Sequence, residues 1–153
     1  LNTDTIRLLN NHLQTTSVSQ NRKKWERELA TDNTRREAQA VQDAAETLHE
    51  NFVKRAFQTD SICQLATASP HPVLVCGDFN SLPSSYTYHR LSESLKDGFK
   101  TGGHGYMYTY RYGKRMLRID YAFHSPELEC TDYYSPNLDL CSDHNPVIFT
   151  VKY

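Results

Sequence analysis

The first apolar positions are Ile6, Leu8 and Leu9, after which the chain turns polar through Asn10, Asn11 and His12. β-Branched and aliphatic residues closing on polar ones predict a strand over 6–13 that delivers His12 to its exit end. Because side chains alternate along a strand, Asn10 and His12 share a face. Residues 14–33 are polar and aperiodic apart from a short helical stretch over 23–30. That is longer than an ordinary loop in a folded domain and marks an insert that is mobile or functional. Thr34 and Glu37 then have capping-box spacing, and Ala38, Val41, Ala45, Leu48, Phe52 and Ala56 follow at three- and four-residue steps. This spacing predicts a capped helix with one apolar stripe, packed on a sheet.

Ser69-Pro70-His71-Pro72 breaks the chain ahead of Val73-Leu74-Val75-Cys76. So short and wholly apolar a run suits a central strand covered on both faces. A short helix over 84–95, with Leu91 and Leu95 inward, comes next. Strand-like runs at 106–112, 116–124, 129–135 and 146–153 follow, separated by Gly, Pro, Asn and Asp. The order strand, helix, strand, helix and then several strands predicts a layered α/β (α+β) fold with a mixed sheet.

Composition narrows the class. A chain of 153 residues can bury about two thirds of its unfolded surface in one core. With 38% hydrophobic and 23% charged residues it has the balance of a soluble globular protein, and no apolar run approaches the ~18 residues of a membrane span. Seventeen basic against eighteen acidic residues give a net charge of -1, which withholds the electropositive footprint of a high-affinity nucleic-acid binder. The four cysteines form no C-x-x-C pair or Cys/His cluster, which argues against structural zinc. Cys76 reads as a small core residue, and a disulfide among Cys63, Cys130 and Cys141 is left open. Leu1-Asn2-Thr3-Asp4-Thr5 has neither an initiator Met nor signal-peptide regions, so the chain is expected to be part of a longer protein.

Candidate chemistry gathers at strand ends. Asp78 and Asn80 follow the apolar run ending at Cys76, Asp120 lies within Leu117-Arg118-Ile119-Asp120-Tyr121, and Asp143-His144 precedes Pro146-Val147-Ile148. Each cluster alone reads equally as a turn or a solvated strand residue. Unpaired carboxylates are costly to bury, so their recurrence at strand ends points to a shared ligand, and a hard cation is the natural one. Asp78, Asn80 and Asp143 are the candidate donors for Mg²⁺ or Mn²⁺. His144, oriented by Asp120, can take a proton from water near neutral pH.

Four ordered motifs carry a resemblance: Asn10-Asn11-His12-Leu13, Gly77-Asp78-Phe79-Asn80, Arg118-Ile119-Asp120-Tyr121 and Ser142-Asp143-His144-Asn145-Pro146-Val147. Together they resemble the endonuclease/exonuclease/phosphatase superfamily over nearly the whole chain. The resemblance implies a four-layer sandwich of two β-sheets flanked by helices, of which residues 1–153 would supply the C-terminal half, with the second sheet and its helices. It further implies metal-dependent hydrolysis of a phosphodiester or phosphomonoester, with Asp78 and Asn80 on metal and substrate, and Asp143 in the metal site. His144 would pair with Asp120 as base or charge stabiliser, and His12 would bind a phosphate oxygen with Asn10 in support. An early Asn and a metal-binding Glu of the family's N-terminal half have no counterpart here. The missing half or self-association is therefore expected to cover an exposed sheet face.

Substrate identity is less marked. Tyr106-Met107-Tyr108-Thr109-Tyr110-Arg111-Tyr112 leads into Gly113-Lys114-Arg115, and Tyr110 and Arg111 could meet a base or sugar and a phosphate. The plainer reading is a strand with tyrosines on one face and a basic tip. A non-catalytic binding or scaffold module with the same fold is the competing functional expectation.

Overall fold

A four-stranded sheet organises the first part of the molecule. In the computed structural model, which describes residues 5–17, 21, 26–27, 30, 34–112, 115–138 and 141–153, strand β1 spans Arg7–His12 and strand β2 spans Val73–Asp78. A two-residue β3, Lys96–Asp97, and β4, Asp120–His124, complete the sheet in the order β1-β2-β4-β3. β2 runs parallel to β1 and antiparallel to β4, so the expected mixed sheet is present. The strand predicted over 6–13 is β1.

Strand alternation sorts the two faces of this sheet. Val73, Val75, Tyr121 and Phe123 join Leu13, Phe79, Tyr88 and Leu91 in one buried cluster. The Phe79 ring meets Tyr121 and Phe123 edge-on at 5.6 and 5.9 Å. Each large apolar side chain buried this fully contributes about 1.5–3 kcal/mol, so the cluster fixes the plane on which the strand ends are displayed. Helix α2, Tyr86–Ser92, lies over this face, with Ser85 as its N-cap accepting from the Tyr88 N–H.

Helix α1 runs from Thr34–Thr67, continuing past the predicted stripe. Its contribution to the sheet's core is Ile62, Cys63 and Ala66, whereas Val41, Phe52 and Phe57 are exposed. The predicted stripe, which ends at Ala56, lies within residues 14–57, a unit of its own. The Thr34 side chain, and with it the predicted capping box, lies outside the described residues.

A short helix α3, Gly98–Gly102, follows β3, and the chain then departs from expectation. The strand predicted over 106–112 does not form, and Tyr110 alone makes isolated bridges, to Leu117 and His144. The next predicted strand starts only at Asp120. Gly105 and Arg115, on either side of 106–112, have left-handed backbone.

The last two strands form a separate antiparallel ribbon, β5 at Glu129–Tyr134 and β6 at Ile148–Lys152. Cys130, Tyr133, Phe149 and Val151 of the ribbon pack with Cys76 and Ala122 on the second face of the four-stranded sheet. The chain therefore supplies strands to two stacked sheets, correcting the expectation that it supplies only one. β2 is covered on both faces, though Leu74 and Cys76 are only half-buried. All four cysteines are free.

The strands, α2, α3 and the end of α1 from Gln58 belong to one unit, Leu1–Leu13 with Gln58–Tyr153, and Gln14–Phe57 make up another. Within the second, Asn51 donates to the Thr16 carbonyl and the Ser17 hydroxyl, Arg55 donates to the Gln14 carbonyl at 2.8 Å, and the Arg55 guanidinium lies over the Phe52 ring. Most of the predicted insert and its short helix falls outside the described residues. Among the described residues, no helix is long and apolar enough to cross a membrane.

Candidate active site

The site begins with a glycine. Gly77 has φ +133°, and a Cβ there would lie 1.8 Å from the Asn11 carbonyl oxygen, so β1 can approach β2 this closely only beside glycine. From that point the backbone is stitched to both neighbours: Leu13 N–H donates to the Asp78 carbonyl and Phe79 N–H to the Ile119 carbonyl, each at 2.9 Å. Phe79 is fully buried, which turns Asp78 and Asn80 on either side of it towards the strand ends. Asn80 adopts φ +48°, a conformation asparagine tolerates better than most residues. Its N–H donates to Asp78 Oδ1 at 2.8 Å, and its amide nitrogen donates to Asp78 Oδ2 and the Leu13 carbonyl at 3.1 Å.

Register brings the other groups to Asp78. His12 pairs with Asp78 across β1–β2, and Asp120 pairs with Asp78 across β2–β4. The His12 Nε2 lies 3.5 Å from Asp78 Oδ2 on a side chain that is 74% exposed. On the remaining side, the His144 Nδ1 is 2.8 Å from Asp120 Oδ2, and its Nε2 is 3.9 Å from Asp78 Oδ2. Ser142 holds the loop by accepting the His144 N–H with its hydroxyl. The Tyr110 ring packs edge-on against His144 at 5.1 Å.

Electrostatics follow this geometry. Burial pushes the Asp78 carboxyl above its ordinary value, the Asn80 N–H opposes the rise, and the Asp120 charge adds to it. For His144, burial disfavours the charged ring, but the hydrogen bond and charge of Asp120, together with Asp78 and Asp143, outweigh it and raise the ring above its ordinary value. Asp78, Asp120 and His144 bring one donor atom each within 4.8 Å of one another. Two facing carboxylates, one of them desolvated, with imidazoles as their cationic neighbours among the described residues, fit a hard divalent cation at this place.

Of the residues singled out from sequence, His12, Asp78, Asn80, Asp120 and His144 converge. Asp143 stands outside the close group, with an exposed side chain and a backbone carbonyl that accepts the Arg111 N–H at 2.8 Å. Asn10 lies on the His12 face of β1, its Oδ1 3.7 Å from the Cys76 sulfur. Arg111 donates to the Ser142 carbonyl at 2.9 Å and so braces the His144 loop. Two features escaped sequence reasoning. Buried Asp97 accepts Arg118 at 2.8 and 3.1 Å, a pairing across 21 positions with no local signal. Thr109 is fully buried and reads in sequence as one more β-branched residue among tyrosines.

A family model described as the endonuclease/exonuclease/phosphatase family matches residues 12–144, from His12 through His144. The chain belongs to that family. Solved structures agree on the fold. An endonuclease/exonuclease/phosphatase protein from Bacteroides vulgatus is 26% identical with a TM-score of 0.55, covering 67% of this chain and 44% of that one. A conserved protein of unknown function from Enterococcus faecalis V583 is 18% identical with a TM-score of 0.59, over 66% of this chain and 45% of that one. The mannosyl-6-phosphatase Bt3783 of Bacteroides thetaiotaomicron VPI-5482 is 22% identical with a TM-score of 0.50, over 68% and 46%. The chain thus spans less than half the length of these family-fold structures. No curated protein matches it.

Proposed function

We propose that the protein containing this chain is a divalent-metal-dependent phosphoesterase whose catalytic centre includes His12, Asp78, Asn80, Asp120 and His144. The observation that carries this reading is the Asp120–His144 pair at 2.8 Å standing beside the desolvated Asp78 carboxylate. Asp120 holds the Nδ1–H of His144, which leaves Nε2 to take a proton from an attacking water. Asp78, with the Asn80 amide beside it and Asp143 nearby, would hold Mg²⁺ or Mn²⁺. When bound, such an ion neutralises the charge that develops on the phosphoryl oxygens. His12, exposed at the rim, donates to a phosphate oxygen.

A further stretch of polypeptide completing the sandwich is part of the same proposal. Leu8 is 61% exposed on the face shared by Asn10 and His12, and Asn145, beside His144, is buried with neither side-chain polar atom paired among the described residues. Buried amides of this kind are nearly always satisfied in finished structures. That stretch would come from the same protein or from a second copy. A monomer in analytical ultracentrifugation, with no second polypeptide by mass spectrometry, would count against it.

Turnover of bis(p-nitrophenyl) phosphate and p-nitrophenyl phosphate, with and without Mg²⁺ or Mn²⁺, tests the activity. Chelation should abolish it, and an unchanged rate in Asp78→Ala would sink the assignment. Ion binding by calorimetry without turnover on any phosphoester would favour the non-catalytic module instead.

A further inference from the structure

The Asp120–His144 hydrogen bond joins two separate sheets. Asp120 opens β4 of the four-stranded sheet, whereas the loop bearing His144 leads into β6 of the ribbon. Strand pairing within either sheet therefore leaves the separation of these two residues unset. One residue bridges the gap. Thr109 is fully buried, and its hydroxyl oxygen accepts the N–H of both Ile119 and Asp120 at 3.0 Å. Its own N–H donates to the Leu117 carbonyl at 2.9 Å, and its carbonyl accepts the Asn145 N–H at 2.7 Å. The backbone on both sides of the catalytic pair is thus tied to one side chain and one peptide unit.

We infer that Thr109 is a positioning residue that fixes the Asp120 carboxylate against His144, an inference that rests on the function proposed above. β3 pairs with β4 only at Phe123 and His124, so the Ile119 and Asp120 amides on the approach to β4 have no ladder partner there. The threonine oxygen takes both. Valine has the same shape without the acceptor and would leave two part-buried donors without it, whereas serine keeps the oxygen.

Three measurements test this. In the active protein, Thr109→Val should lower kcat about 10²-fold with KM within about twofold, the signature of lost positioning rather than lost binding. Thr109→Ser should stay within about threefold of the parent by retaining the acceptor. A Thr109→Val enzyme with the parent's kcat, or a Thr109→Ser enzyme as impaired as Thr109→Val, overturns the inference. The second readout needs no turnover: at one alkaline pH, ring ¹⁵N shifts of the metal-free chain should show the Nδ1–H tautomer of His144 in the parent and Thr109→Ser, and mixed tautomers in Thr109→Val. Identical tautomers in all three also overturn it. Finally, hydrogen exchange on the unmutated chain depends on no variant folding. The Ile119 and Asp120 amides should exchange at least about 10²-fold slower than open amides, and open-amide rates would refute the clamp. Should Asp120→Asn leave turnover unchanged, the proposed function fails, while the tautomer and exchange results still judge Thr109.

Discussion

Two carboxylates of the same sheet meet opposite fates. Asp97, at the end of β3, is buried and matched inside the chain: Arg118 donates to both oxygens, Tyr88 adds a hydroxyl at 2.7 Å, and the Phe99 N–H caps the same group. The Arg118 guanidinium is itself enclosed by the rings of Tyr88, Phe99 and Tyr121. Asp78, at the end of β2, faces a second carboxylate and, among the described residues, has His12 and His144 to offset the charge. Where a carboxylate serves the fold, its countercharge is built in. Where it stands in the proposed site, positive charge among the described residues is left short, and the proposed cation would supply it.

The contrast can be broken most severely at Arg118. Arg118→Met strands a buried carboxylate and should cost about 3–5 kcal/mol in urea denaturation, whereas Arg118→Met with Asp97→Leu should recover most of it. A loss of under about 1 kcal/mol in the single variant would show that the pair is not structural. At the other carboxylate the damage should fall on chemistry. In the active protein, His144→Ala should lower kcat about 10²–10⁴-fold, with unfolding free energy shifted by no more than about 1 kcal/mol.

Cation binding sharpens the comparison next. Mg²⁺ or Mn²⁺ at a hundredfold excess over Kd should add about 2.7 kcal/mol of stability, seen as a raised Tm that disappears in Asp78→Ala. An equal rise in Asp78→Ala would place the ion elsewhere. The smallest effect is in pH. Without a cation, the folded-state His144 ring lies above its ordinary value. Its contribution to stability should therefore be complete below about pH 6.5 and decline as pH rises through the raised value. An NMR titration should place the ring above the ordinary value and show it moving down when Mg²⁺ is added, because like charges disfavour imidazolium. A ring unmoved by Mg²⁺ would separate His144 from the ion.

The sequence was most legible where local physics decides. The apolar run before Gly77, the polar exit of β1 at His12 and the Leu91 helix all folded as read, because burial of a strand or helix face leaves a periodic signature. Reading failed over 106–112, where alternating tyrosines promised a strand. There the Thr109 hydroxyl replaces the ladder, and hydrogen bonds of that kind leave no periodicity.

By itself, then, the sequence determined membership in the endonuclease/exonuclease/phosphatase family and the residues from which a site can be built, since Gly77-Asp78-Phe79-Asn80 and Ser142-Asp143-His144 are local patterns set by backbone sterics and side-chain chemistry. Only the tertiary structure decided which carboxylates stand together. The register of β2 with β4 set Asp120 opposite Asp78, the stacking of the ribbon on the sheet brought His144 to Asp120, and Arg118 was spent on Asp97. These pairings join residues 21 to 42 positions apart. Their formation depends on which surfaces bury against each other, a choice made by the assembled core and carried by no single segment.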